Sequence, residues 1–293
     1  APSGYQQGQH QYWIVDAFTS SRTVPYASTL PDGRPLRYLR NSVKAVVDAY
    51  NGKVHFYINE PNDPMIQGWT KVFPSLFENL ENMPTSLRRH LMVSQAQFEL
   101  QVQQLLRYHV TNPRIFYSGD DVWQVPKELY GNNQIPVAPY HITAQVKPSP
   151  NSEFLLLQPL TPLARPNLSA WLAARNDDEH YGELILLRFP TDIPIFGPEQ
   201  VQALINQDPA TSQQFALWDR AGSQVVQGNL LVVPVGDSLL YVEPIYLRAQ
   251  QGGLPTLTRI VVSDGRRVAM AADLDQGLKS LLERRQQEAR KAT

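Results

Sequence analysis

The sequence predicts an α+β fold in which antiparallel or mixed β-sheets, built from hairpins, carry packed helices. Three observations predict it. Asn51-Gly52, Gly236-Asp237 and Asp264-Gly265 each stand between strand-like runs, and such pairs favour tight reversals. Residues 62–124 and the C-terminal stretch switch to a helical period. The 24 prolines outnumber the 16 glycines and are scattered, which favours short elements joined by defined turns. Sequential strands without long helical crossovers argue against a doubly wound parallel sheet.

The elements follow in order. Tyr12–Phe18 is β-rich, after the polar stretch Ala1–Gln11, and leads into a polar loop over residues 19–40. Val43–Tyr50 and Lys53–Ile58 then flank Asn51-Gly52, the preferred pair for a two-residue type I′ turn. Such a turn sets Ala49 opposite Val54, Val47 opposite Phe56 and Ala45 opposite Ile58 on an apolar face. The other face, with Asp48, His55, Val46, Tyr57, Lys44 and Asn59, reads as mostly polar, as in a half-buried sheet. Met65–Phe73 and Thr85–Met92 each follow a proline and read as short helices. Ser94 with Gln97 forms a capping-box pattern, and Phe98, Val102, Leu105, Leu106 and His109 make one helical face. Asn112-Pro113 is expected to end that helix.

From about residue 136 the pattern is β-rich. Tyr140–Lys147 and Glu153–Pro159 pair across Pro148-Ser149-Pro150-Asn151, and Leu168–Arg175 and Glu183–Phe189 flank the polar loop Asn176–Gly182. Helices are expected at Pro198–Asn206 and Ala210–Trp218. Asn229–Val235 and Ser238–Tyr246, apolar on both faces, read as a hairpin covered on both sides. Leu257–Ser263 and Arg267–Met270 make a third. Asp273, answered by Gln276, caps a final helix with an apolar face of Leu274, Leu278, Leu281 and Leu282 and a charged tail, Glu283–Lys291, expected to fray. At 293 residues the chain is expected to form either two intimate subdomains, 12–135 and 136–293, or one continuous domain.

Composition narrows the function classes. Hydrophobic residues at 42% supply a core, and 18% charged residues is too little for a disordered chain. A net charge of -1 and a pI near 6.7 lack the basic excess that phosphate neutralisation requires, so nucleic acid is not an expected partner. The absence of cysteine excludes disulfides, thiolate zinc sites and cysteine nucleophiles. No segment approaches the ~20 apolar residues of a membrane span, and no signal peptide opens the chain. Residue 1 is Ala, so the chain is expected to be a fragment of something longer.

No phosphate-binding glycine loop, H-E-x-x-H or G-x-S-x-G elbow occurs. The six histidines (His10, His55, His90, His109, His141, His180) are too dispersed for ligand spacing. Two acidic clusters remain, Asp120-Asp121 and Asp177-Asp178-Glu179 with His180. Either could offer oxygen ligands to a hard cation or half of an acid/base pair, and solvated turn initiation is the plainer use. No cofactor is expected; Asp177, Asp178 and Glu179 are the better metal candidate, with calcium the ion such a loop would take, because carboxylates and an imidazole come together there. No catalytic or cofactor-binding residue is assigned. Trp13, Trp69, Trp123, Trp171 and Trp218 suit core packing, with a partner- or carbohydrate-binding platform the alternative.

Tyr38–Tyr57 (YLRNSVKAVVDAYNGKVHFY), Asn206–Trp218 (NQDPATSQQFALW) and Gly222–Tyr246 (GSQVVQGNLLVVPVGDSLLYVEPIY) closely resemble the uncharacterised protein family (UPF) number 0182. The likeness extends through Trp171–Arg175, Tyr181–Pro190 and Thr258–Ala271, from about Tyr12 to Leu282. Val46–Val54 alone also resembles the closing hairpin of PepSY-type domains, a likeness that hairpin chemistry by itself can produce. The family resemblance implies a bacterial or cyanobacterial membrane protein with several N-terminal spans, of which this chain is the C-terminal part of a long extracytoplasmic, periplasmic-side region. It carries no activity or catalytic residue across. The expected role is therefore a non-enzymatic interaction or assembly domain, partnered by its own transmembrane region and by envelope proteins. That role predicts an exposed apolar or aromatic patch. The alternatives are an envelope hydrolase or lyase using Asp/Glu chemistry, and an accessory domain for lipid or envelope-precursor transport.

Overall fold

A computed structural model describes all residues except 1–2, 8–9, 31–32, 132, 147–148, 191, 221, 237, 250–251 and 292–293. The described chain divides into two units, Ala1–Gln104 with Ala174–Glu183, and Leu105–Ala173 with Leu184–Thr293.

The first unit is built on one sheet in the order β1-β2-β3-β4-β5, formed by β1 (Ser3–Gln7), β2 (His10–Ser21), β3 (Tyr38–Asp48), β4 (Val54–Ile58) and β5 (Phe77–Asn79). The pairs are antiparallel except β4 with β5, so the sheet is mixed. β1 lies in the stretch that reads as merely polar. Its pairing with β2, Tyr5 opposite Tyr12, is made by backbone groups and needs no apolar pattern.

The β3–β4 hairpin corrects the expected register. Val47 faces Val54 and Ala45 faces Phe56, two residues away from the pairing a two-residue turn would set. Asp48 is the cause. Its N–H donates to the Lys53 carbonyl at 2.9 Å, and its own carbonyl accepts from Gly52 N–H at 2.9 Å. Its carboxylate accepts from the Tyr50 N–H at 2.8 Å and from Asn51 Nδ2 at 3.0 Å, closing a longer loop in which Gly52 takes φ 71°. A shift of two preserves the face alternation. The face that reads as mostly polar is nonetheless buried: Ile14, Val46 and Tyr57 pack there with Met83, Leu87 and Leu91. Val43 and Ala45 on the opposite face are buried too.

Helices α1 (Pro64–Val72), α2 (Thr85–Arg88) and α3 (Gln95–Tyr108) follow β4. The Ser94 capping bond to Gln97 N–H is long at 3.5 Å, and Gln97 Oε1 instead accepts from Asn41 N–H at 3.3 Å. α3 stops at Tyr108, before the expected Asn112-Pro113. Asn112 opens a further helix, α4 (Pro113–Ser118), by accepting from Arg114 N–H at 2.9 Å, and Gly119 ends it at φ 73°.

In the second unit the strands are β6 (Trp123–Gln124), β7 (Lys127–Tyr130), β8 (Asn133–Pro136), β9 (Tyr140–Gln145), β10 (Ser152–Pro162), β11 (Ala170–Arg175) and β12 (Leu184–Arg188). β12, β11, β10 and β6 form a sheet to which β9 adds through β10, and β7 and β8 make a separate hairpin. After α5 (Pro198–Gln207) and α6 (Pro209–Arg220) come β13 (Ser223–Gln227), β14 (Leu231–Val235), β15 (Ser238–Ala249), β16 (Thr256–Ser263) and β17 (Val268–Ala271). These last five form one antiparallel sheet around β15, and α7 (Leu274–Lys291) closes the chain. Leu157, Trp171, Val201, Ile205, Leu230, Tyr241, Ile245 and Val261 make the core of this unit.

The second hairpin keeps its two-residue loop, with Val235 opposite Ser238 and Gly236 at φ 60°; Asp237 lies outside the described residues. Its expected double coverage belongs to β15. β14 buries Val232 and leaves Val235 55% exposed, because β13 and β14 share one edge of β15. The third turn is centred one residue later than expected, on Gly265-Arg266, since Asp264 N–H donates to Arg267 O at 3.3 Å. α7 is capped as expected, Asp273 accepting from Gln276 N–H at 2.8 Å and from its Nε2 at 2.7 Å. Of its leucines only Leu281 is fully buried, Leu274 and Leu282 being exposed, and its charged tail continues as helix to Lys291.

Candidate interaction surface

At the end of α1, Trp69, Val72 and the C-cap residue Phe73 recur at the i, i+3, i+4 spacing that places side chains on one stripe, and Leu76 follows in the turn beyond Pro74. Such a stripe normally faces a core. Here the buried residue of the helix is Ile66, while Trp69, Val72, Phe73 and the neighbouring Leu76 are 44–63% exposed, and the Trp69 and Phe73 rings stack at 5.9 Å. The tryptophans divide accordingly: Trp123 and Trp171 are core residues, and Trp69 is presented to solvent.

The stripe is held by the residue that starts its helix. Asp63 caps α1 by accepting from Met65 N–H at 3.1 Å. The same carboxylate accepts from Thr19 Oγ1 and Ser42 Oγ, each at 2.6 Å, and from Tyr38 OH at 2.5 Å. Burial alone would raise the Asp63 pKa; these donors outweigh it and hold the group at about 2. Burial, then the bond to Asp63, push Tyr38 up to about 12. β2, β3 and α1 thus meet at one ionised carboxylate, which fixes the helix against its sheet.

Asp120 accepts from Ser118 Oγ at 2.6 Å, and Asp121 stands 3.6 Å from His109 Nε2. Asp177 and Glu179 are exposed about a single 3-10 turn, Asp178–His180. His180 Nδ1 lies 3.3 Å from Glu183, which itself accepts from Arg175 Nη1 at 2.7 Å. Among the described residues no three His, Cys, Asp or Glu side chains converge as metal ligands.

The sequence reading did not anticipate the burial of several charged groups, Lys44 and Glu243 among them. Lys44 donates to Asp16 Oδ1 and to the Met92 carbonyl at 2.8 Å, and lies over the Tyr181 ring. Burial lowers its pKa and the Asp16 charge opposes that. Glu243 on β15 is wholly buried, facing the amides of Gln202 and Gln227. Burial pushes it up to about 8, the amides opposing and Glu128 adding to the rise. Among the described residues, neither of its oxygens, nor either amide atom of Gln202, makes a hydrogen bond of good geometry. Glu128, also buried, accepts from Asn229 Nδ2 at 2.7 Å and Leu230 N–H at 2.8 Å. The only signal for Glu243 was a charged residue among apolar neighbours in a strand, which an exposed edge would produce equally well.

The fold defines an α+β protein of hairpin-built, mixed and antiparallel sheets. Within that class the chain belongs to the Uncharacterised protein family (UPF0182), whose model matches residues 5–218. It is 79% identical over 95% of its length to a UPF0182 protein of Synechococcus sp. (strain CC9311) and 74% identical over 95% to one of Prochlorococcus marinus (strain MIT 9313). It is 48% identical over 97% to one of Nostoc sp. (strain PCC 7120 / SAG 25.82 / UTEX 2576). The chain spans 30, 29 and 28% of those three relatives. No solved structure matches it. No helix among the described residues is long and apolar enough to cross a membrane.

Proposed function

We propose that this chain is an extracytoplasmic interaction or assembly module of a larger membrane protein, and that the α1 stripe docks against the membrane-embedded part of the same polypeptide. The observation that carries this reading is the exposure of Trp69 and Val72 at the end of α1, a helix anchored through Asp63, and of Phe73 and Leu76 directly after it. A stripe of this kind gains stability when covered, at about 25 cal/mol per Å2 of apolar surface removed from water. The occupant is taken to be intramolecular because the relatives are more than three times as long as this chain. A tethered partner binds at high effective concentration and does not require a large interface.

A photo-crosslinking residue in place of Val72, introduced in the full-length protein and followed by peptide mass spectrometry, tests the docking. Crosslinks to the remaining polypeptide, lost in Trp69→Ser/Phe73→Ser, are expected. Crosslinks only to other proteins, or none, overturn it. The side of the membrane is tested separately with a single cysteine at exposed Tyr26, in a segment that has no cysteine of its own. Labelling of intact cells by an impermeant maleimide is expected; labelling only after lysis refutes the extracytoplasmic placement.

A further inference from the structure

The tail of α7 is charged all round, and in the second unit it lines a cleft of 470 Å3 together with the β16–β17 turn and the α5–α6 junction. Arg266, Arg267 and Arg284 border this cleft, against Asp208 and Glu288. Arg267 is set in place by its turn, Nη1 donating to Asp264 Oδ2 at 2.8 Å. Arg284 donates to the Val268 carbonyl and stands 3.3 Å from Asp208 Oδ1. Asp208 is committed elsewhere: its other oxygen accepts from Thr211 N–H at 2.9 Å and from Thr211 Oγ1 at 2.8 Å. Arg266 is exposed beside them.

Glu288 shows what the cleft can hold. One of its carboxylate oxygens accepts from Arg267 Nε and lies at 2.7 Å from Nη2, so the open side of the fork already grips an oxyanion oxygen. The Glu288 side chain is 60% exposed, so turning it to water costs little. Planar guanidinium groups converging in a cleft match the oxygens of a phosphate better than point charges do. We propose that this cleft binds a phosphate group through Arg266, Arg267 and Arg284, and that Glu288 is an internal carboxylate which the ligand displaces. The phosphate is either that of a soluble ester or that of an anionic lipid headgroup.

Calorimetric titration of the 293-residue chain with inorganic phosphate tests this, with circular dichroism confirming the fold of each variant. Glu288→Gln is expected to tighten binding about two- to fivefold, and Arg266→Ala to weaken it by a similar factor, the worth of one exposed charge pair. Absence of phosphate binding in both the parent chain and Glu288→Gln overturns the proposal, as do two variants that bind as the parent does. Flotation with phosphatidylcholine vesicles, with and without phosphatidylglycerol, separates the sources. Phosphate binding with flotation that depends on phosphatidylglycerol and on Arg266 assigns the headgroup, and phosphate binding without flotation assigns a soluble ester.

Discussion

Lys44 and Asp16 stand directly opposite each other in the β2–β3 ladder, and the Lys44 ammonium, 1% exposed, donates to the Asp16 carboxylate at the sheet surface. A cationic residue is thereby placed inside a core strand with its charge answered from the neighbouring strand. Removing one partner of such a pair costs more than replacing the charge with apolar volume, because the remaining charge is left desolvated. Asp16→Asn is expected to destabilise the chain by about 1–3 kcal/mol, discounted for the partial exposure of Asp16. Lys44→Met should lie within about 1 kcal/mol of the parent. Urea titrations with unchanged m-values check both, and equal losses would refute the asymmetry.

Asp63 predicts a response to acid. Its folded pKa, about 2, lies below the unfolded value near 3.9. The carboxylate therefore contributes stability that is present above the unfolded value and is lost as pH falls through the folded one. In Asp63→Asn, stability measured between pH 2 and 5 should vary less steeply than in the parent. The same substitution leaves Thr19, Ser42 and Tyr38 without their ionised acceptor, at a cost of about 2–3 kcal/mol at neutral pH.

Glu243 predicts the opposite sign. Its pKa is raised by burial to about 8, above the unfolded value near 4.3. Between those values the unfolded chain releases a proton that the folded chain retains, so stability falls as pH rises and the loss is complete above about pH 8. Each pKa unit is worth about 1.4 kcal/mol. Glu243→Gln should flatten the pH dependence between pH 5 and 9 and equal or exceed the parent in stability at pH 8. Parallel stability profiles for the two proteins would refute the assignment.

Gly197 precedes α5 with φ -81°, so any residue suits its backbone, but a Cβ there would lie 2.0 Å from the Pro166 carbonyl oxygen. Gly197→Ala must move the backbone of one segment. A loss of about 1–3 kcal/mol is expected, read from the urea midpoint, with Gly33→Ala as the comparison, since a Cβ at Gly33 meets nothing within 4 Å. At Gly33 the cost comes from φ 79° alone.

Local chemistry was legible in the sequence by itself. The α+β class, the neighbourhoods of the three reversals, the Asp273 cap and most helices depend on residues a few positions apart, and the sequence displays those distances directly. The family was legible for a similar reason, since segments such as Asn206–Trp218 carry it as a linear pattern. What required the tertiary structure was everything set by residues distant in the chain. The β3–β4 register is the local exception: it is two residues from the expected one because the Asp48 side chain takes backbone donors of the turn, a competition that spacing alone does not display. The β3 face carrying Lys44 and Asp48 is buried because Met83, Leu87 and Leu91 cover it from far along the chain. The α1 stripe has the same spacing as a core-facing stripe, and only the packing of Ile66 inward distinguishes the two. Arg267 meets Glu288 only because β17 and α7 fold back onto the turn. Sequence spacing reports which side chains share a face; which face loses its water is decided by the whole fold.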